Sequence, residues 1–123
     1  MPVTSLSIYG IPTCSTCKRA QRWLDDRGVA YTFIDTRQSP PTTENIRDWV
    51  DALGSKVMRN TSGQAYRGLD ASRSQWDDAR WIEEFSREPM LLKRPLFVRE
   101  NRAVMVGFRG DDEAIARNLS LEI

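Results

Sequence analysis

Residues 5–37 read SLSIYGIPTCSTCKRAQRWLDDRGVAYTFIDTR, and this stretch decides the fold. At its start polar and apolar residues alternate, so Leu6 and Ile8 share one face of a short strand over residues 5–10. Gly10 and Pro12 end that strand. From Cys14 to Arg27 the pattern becomes helical. Ala20, Trp23 and Leu24 share one face, and Lys18, Arg19, Arg22, Asp25 and Asp26 mostly occupy the others. Gly28 stands where a helix C-terminus favours glycine. Residues 29–37 are rich in β-branched and aromatic side chains and predict a second strand. Strand, helix, strand is a βαβ unit, its two parallel strands joined by a right-handed crossover. The only two cysteines of the chain, Cys14 and Cys17, lie between the first strand and the body of the helix.

The rest of the chain follows in recognisable pieces. After a loop with Pro40 and Pro41, Thr42 or Thr43 can cap a helix with Ile46, Trp49, Val50 and Leu53 on one face, stopped by Gly54. Residues 55–72 are polar, contain Gly63 and Gly68, and predict irregular surface structure. A further helix is expected over residues 73–87, with Trp76, Ala79, Ile82 and Phe85 toward the core, then a short turn from Pro89 through Leu92. Residues 96–98 and 103–106 are apolar runs around a charged segment, with Asn101 at a turn position, which predicts an antiparallel hairpin. Residues 110–119 read as a capped helix with an acidic first turn and an apolar face of Ile115, Ala116 and Leu119. Of the four tryptophans, Trp23, Trp49 and Trp76 fit apolar helix faces and are expected in the core.

The order β-α-β, helices, β-β-α is that of an α/β protein with a thioredoxin-like fold: a four-stranded mixed sheet flanked by helices. A single domain over residues 1–123 is expected, with a helical insertion at about residues 41–92. With 123 residues the chain can bury a core without disulfide staples. A net charge of +1 argues against non-specific adhesion to nucleic acid or membrane. There is no apolar run of about 18 residues, and the first ten residues lack the features of a signal peptide. The cytoplasm is therefore the default expectation, and a monomer is the default oligomeric state.

A CxxC can be a redox pair, part of a metal site, or two packed thiols. Histidine is absent, which removes Ser-His-Asp and Cys-His catalysis and histidine-containing zinc sites. Two cysteines alone do not complete a four-cysteine site, so no metal is expected. Position at a helix start, where backbone N–H groups and the helix dipole favour an anion and Lys18 and Arg19 soon add positive charge, supports the redox reading. Cys14 is then the nucleophile and Cys17 the resolving thiol. Arg94 precedes Pro95 at a strand start; in a thioredoxin-like sheet that proline is the candidate for a cis peptide bond facing the cysteine loop. A guanidinium there could hold an oxyanion or stabilise a thiolate.

Four pieces, YGIPTCSTCKRAQRWLDDRGVAYTFID, RNTSGQAYRGL, EPMLLKRPLFV and VGF, occur in an order that resembles the arsenate reductase/Spx family of thioredoxin-fold proteins. The resemblance implies a nucleophilic Cys14 and a cis Arg94–Pro95 bond. It also implies three oxyanion-binding arginines. Arg59 and Arg94 stand at two matching positions; at the third the spacing puts Phe108, with Arg109 beside it. Arg59, Arg94 and Arg109 are thus the expected oxyanion- or thiolate-stabilising set. No bound cofactor is implied, and glutathione, glutaredoxin or thioredoxin is the expected reductant of an enzyme reducing an oxyanion such as arsenate, or a disulfide. The second cysteine is a feature of Spx-type regulators, in which the pair is a redox switch and the partner is RNA polymerase, through its α subunit, rather than DNA.

Overall fold

The computed structural model describes residues 6–121. Ser5, the expected first residue of the opening strand, lies outside them. The strands are β1 (Leu6–Gly10), β2 (Thr32–Asp35), β3 (Leu96–Arg99) and β4 (Arg102–Val106), in spatial order β2-β1-β3-β4. β1 and β2 are parallel, with Ile8 opposite Phe33. β1 and β3 are antiparallel, with Ile8 opposite Phe97, and β3 and β4 close the sheet as an antiparallel hairpin. Its turn places Glu100 and Asn101 at positive φ, the conformation a tight two-residue hairpin demands of both central residues. The mixed four-stranded sheet of the thioredoxin-like fold is therefore present.

The alternation of β1 divides the core in two. Leu6, Ile8, Phe97 and Met105 point to the face covered by α1 (Ser15–Asp26) and α5 (Asp112–Asn118), where they meet Leu24, Phe108, Ile115 and Leu119. Leu96, Val98 and Ala103, with Tyr9 beside them, point to the face covered by α2 (Thr43–Leu53) and α4 (Asp78–Arg87). Thr42 caps α2 through a capping box with Asn45. No helix among the described residues is long and apolar enough to cross a membrane.

Three expectations need correction. The second strand is shorter than residues 29–37, because Val29 N–H donates to Leu24 O and so closes α1 instead of joining the sheet. Residues 55–72 are not wholly irregular: they hold a 3₁₀ turn over Lys56–Met58 with Met58 fully buried, and a one-turn helix α3 (Gln64–Arg67). The helix expected from residue 73 starts only at Asp78, because the Asp77 carboxylate accepts from Arg80 N–H and sets the N-terminus there. A separate 3₁₀ turn, Ala71–Gln75, precedes it.

That shift in start changes the buried face of α4 to Trp81, Glu84 and Phe85, leaving Ala79 exposed and Trp76 and Ile82 half-buried. Trp81 is the centre of this half of the core, 5.1 Å from the ring of Trp76, 5.5 Å from Phe85 and stacked at 6.2 Å on Tyr66. Of the three tryptophans expected in the core, Trp49 is buried and Trp23 and Trp76 are half-buried.

Glu84 is a buried acid whose carboxylate pairs with Arg80 at 2.9 Å and with Arg87. Burial alone would raise its carboxyl, but hydrogen bonds from Arg87 and Arg80 and their charges outweigh burial and hold it below its ordinary value. A depressed folded pKa stabilises above the unfolded value of about 4.3, and this contribution is lost as pH falls through the folded value. Glu84→Gln is therefore expected to flatten the loss of stability between about pH 5 and pH 3, read as urea midpoints across that range. An acid limb as steep as in the wild type would refute this assignment.

Candidate functional site

The site is built where β1 runs into α1. Cys14 occupies the cap position of α1 in an extended conformation, and its Sγ accepts the Cys17 backbone N–H at 3.2 Å. A sulfur thus does here what a Ser, Thr or Asp oxygen does at most helix starts. A thiolate suits the position, since it satisfies an otherwise unpaired N–H and faces the positive end of the helix. Burial would raise the Cys14 thiol. Hydrogen bonds from the Cys17 side chain and backbone, the Arg94 charge and the Thr16 backbone outweigh it, and the net shift is downward.

Cys17 is shifted the other way. It has no solvent exposure, and its thiol is pushed up to about 12, first by burial and then by its hydrogen bond to Cys14. Both thiols are free. The pair therefore consists of an accessible sulfur that ionises readily and a buried one that keeps its proton and donates it toward the first.

Gly10 makes room for the buried thiol. A Cβ on Gly10 would stand 2.6 Å from Cys17 Sγ and 3.3 Å from the Phe33 ring. The last residue of β1 is thus the floor on which Cys17 rests.

The arginines are distributed unevenly. The Arg94–Pro95 peptide bond is cis. Arg94 Nη1 donates to Leu92 O at 3.5 Å, its Nε is buried without a partner, and its charge favours the ionised form of both cysteines. Arg109 lines a cleft of about 320 Å³ with Arg94, Thr16, Arg19, Lys93 and Phe108. Arg59 is not among the residues lining that cleft. Its guanidinium lies 4.3 Å over the Trp81 ring and donates to Ser55 Oγ at 2.9 Å, while Ser55 in turn donates to Asp78. Its backbone nevertheless pairs with Leu92, two residues before Arg94.

Phe108 is 6% exposed, a core residue whose ring packs between Trp23 and Phe97. Thr16 and Lys93 were not among the expected site residues, and Arg19 was expected only as positive charge close to Cys14. The available signal was local: Thr16 and Arg19 are three apart on one helix and so neighbours on its surface, and Lys93 adjoins Arg94. Arg19 also donates to Phe108 O at 3.0 Å, which ties α1 to the loop after β4. Among the described residues no group of three or more Cys, Asp or Glu is arranged to hold a metal ion.

Comparison with known proteins gives this geometry a context. The ArsC family model matches residues 9–116. The chain belongs to the ArsC family. The uncharacterised protein YusI of Bacillus subtilis is 32% identical over 111 residues, covering 87% of this chain and 93% of its own. The global transcriptional regulator Spx 1 of Oceanobacillus iheyensis is 23% identical over 109 residues, covering 87% and 82%. Among solved structures, a possible arsenate reductase from Streptococcus mutans is 38% identical with a TM-score of 0.81, over 92% of this chain and 98% of that one. The YffB (PA3664) protein is 34% identical with a TM-score of 0.81, over 93% and 98%. The proteins similar to this chain thus include a possible arsenate reductase and an Spx regulator.

Proposed function

We propose that this ArsC-family chain is a thiol-dependent reductase in which Cys14 is the nucleophile and Cys17 the resolving thiol. The observation that carries the reading is the opposite setting of the two sulfurs. Cys14 caps α1 with its thiol lowered, and Cys17 lies beneath it with its thiol raised to about 12. The Cys14 thiolate attacks the acceptor, an oxyanion such as arsenate or one sulfur of a disulfide. On arsenate the sulfur–arsenic bond forms as one arsenic-bound oxygen leaves as water; a second thiol, Cys17 or glutathione, then attacks the Cys14 sulfur, and the sulfur–arsenic bond breaks with its electron pair left on arsenic as arsenite. On a disulfide, the Cys14–sulfur bond forms as the substrate sulfur–sulfur bond breaks, and the second sulfur leaves as a thiolate. Cys17 then gives its proton to that leaving group and attacks Cys14, releasing the remaining thiol and closing a Cys14–Cys17 disulfide. Glutathione, glutaredoxin or thioredoxin returns the pair to the reduced state.

The CxxC also supports a second reading, in which the same oxidation is a signal and the oxidised protein changes its affinity for the RNA polymerase α subunit. One experiment separates the two. Reduced protein is incubated with arsenate or a disulfide, with and without glutathione and glutaredoxin, and α-subunit capture is measured in both redox states. Sustained turnover supports the reductase. Oxidation without turnover, accompanied by redox-dependent capture, overturns it in favour of the regulator.

A further inference from the structure

Arg94 carries the charge that favours the ionised form of both cysteines. Its side chain is half-buried, and its Nε has no hydrogen-bond partner. A charged group drawn out of water ordinarily takes an ion partner. Arg94 takes none among the described residues. Its Nη1 donates instead to Leu92 O at 3.5 Å and to the Met90 thioether sulfur at 3.9 Å. Both acceptors are neutral.

An acid is at hand, but it is engaged elsewhere. Glu88 lines one hollow together with Met90 and Arg94, yet its carboxylate accepts Met90 N–H at 3.1 Å and caps the 3₁₀ turn Pro89–Leu91. Asn60 holds the same turn: its backbone N–H donates to Leu91 O at 2.8 Å and its Nδ2 to Met90 O at 3.4 Å. Both backbone groups of Met90 are therefore tied, and the turn presents its sulfur to Arg94. The other charged groups that line a cleft with Arg94 are Arg19, Lys93 and Arg109, all cationic. A carboxylate on Arg94 would fix the guanidinium and cancel much of its field at Cys14. A thioether is a weak acceptor without charge, so it restrains the group and leaves the field intact.

We infer that Met90 is a positioning residue of the thiolate site: its sulfur, with the Leu92 carbonyl, holds the Arg94 guanidinium near Cys14 while leaving its charge whole. This deepens the reductase reading and rests on it for the role of Cys14; the hold of Met90 on Arg94 stands apart.

The test follows alkylation of Cys14 in the reduced protein by iodoacetamide, a neutral reagent whose rate tracks the thiolate fraction as pH is varied. Met90→Leu keeps the volume and removes the acceptor. Below the Cys14 transition its rate is expected to fall about two- to threefold, because a loosened Arg94 favours the thiolate less. Met90→Gln supplies a neutral carbonyl oxygen and should return the rate to the wild-type range. Met90→Glu supplies a charged one and should lower the rate further than Met90→Leu does. In an Arg94→Gln background, Met90→Leu should change the rate by less than about 1.5-fold. No fall in Met90→Leu, a Met90→Gln rate as low as that of Met90→Leu, a Met90→Glu rate above it, or an equal fall without Arg94 would overturn the inference while leaving the reductase reading in place. A wild-type Cys14 that titrates at or above about 8.5 would count against the reductase reading instead. In that case, or if Arg94→Gln does not fold, the hold is judged by hydrogen exchange of the Arg94 Nε–H, followed by NMR. Exchange several-fold faster in Met90→Leu than in the wild type supports it, and equal exchange overturns it.

Discussion

Cys14→Ser is expected to lower reduction of any disulfide or oxyanion by at least about a thousandfold, to the uncatalysed background. The hydroxyl can take over the cap, accepting the Cys17 N–H as the sulfur does, so fold and stability should change little. A serine at this position is not ionised at neutral pH and cannot form the mixed disulfide. Cys17→Ala should behave differently. Cys14 keeps the backbone hydrogen bond and the Arg94 charge, so the first attack survives, while the intramolecular resolving thiol is gone. Without added thiol, mass spectrometry should find one substrate thiol bound per Cys17→Ala chain and none on Cys14→Ser. Retained turnover in Cys14→Ser, or an adduct on Cys17 in that variant, would show that the roles of the two cysteines are misassigned.

Gly10→Ala carries the second large effect, through packing. The new Cβ would lie 2.6 Å from Cys17 Sγ, well inside the distance at which carbon and sulfur can pack, and the sulfur has no exposed side toward which to retreat. Gly10 is not among the glycines held at positive φ, so alanine meets a steric obstacle rather than a backbone one. Overpacking of this kind costs about 1–3 kcal/mol. The cause is specific and therefore testable by a cycle. In a Cys17→Ala background the obstructing sulfur is absent, and adding Gly10→Ala should cost much less there. Urea denaturation of the four reduced proteins is expected to show a coupling of about 1 kcal/mol or more. Additive effects would place the obstruction elsewhere, with Phe33 at 3.3 Å as the alternative.

How far the sequence could be read depended on the range of the interactions involved. The βαβ unit was legible because alternation in β1, the apolar stripe of α1 and Gly28 are each local signals that agree. The hairpin was legible for the same reason, with Asn101 able to adopt positive φ. The phase of α4 was not. Asp77 and Asp78 are both plausible caps, and a rule that puts apolar residues inside selects Ala79 and Ile82 over Glu84. Glu84 is buried because Arg80 and Arg87, on its own helix, satisfy it, so a charged residue took a core position that hydrophobic periodicity reserved for an apolar one. Trp81 was missed in the same shift.

The candidate site divides along the same line. That Cys14 stands at a helix start could be expected from residues adjacent in sequence, and the cis bond between Arg94 and Pro95 from the thioredoxin-like sheet and the family resemblance. The contact between Gly10 and Cys17 could not, since it depends on how α1 settles against the end of β1. Nor could the company Arg109 keeps. Arg19 and Lys93 join it only because α1 and the segment before β3 converge on the loop after β4, residues far apart in the chain. Arg59 illustrates the converse: its motif is readable, but its guanidinium lies over Trp81, whose burial was not anticipated.

The most direct test of the account is the ionisation of the two thiols, followed by thiolate ultraviolet absorbance in the reduced wild type, Cys14→Ser and Cys17→Ser. The account predicts a wild-type transition below the free-cysteine value of about 8.5 that vanishes in Cys14→Ser. In Cys14→Ser, Cys17 should stay protonated well above that value; in the wild type its transition is expected toward about 12. Cys14 titrating at or above about 8.5, or Cys17 ionising first, would contradict the assignment of Cys14 as the activated nucleophile.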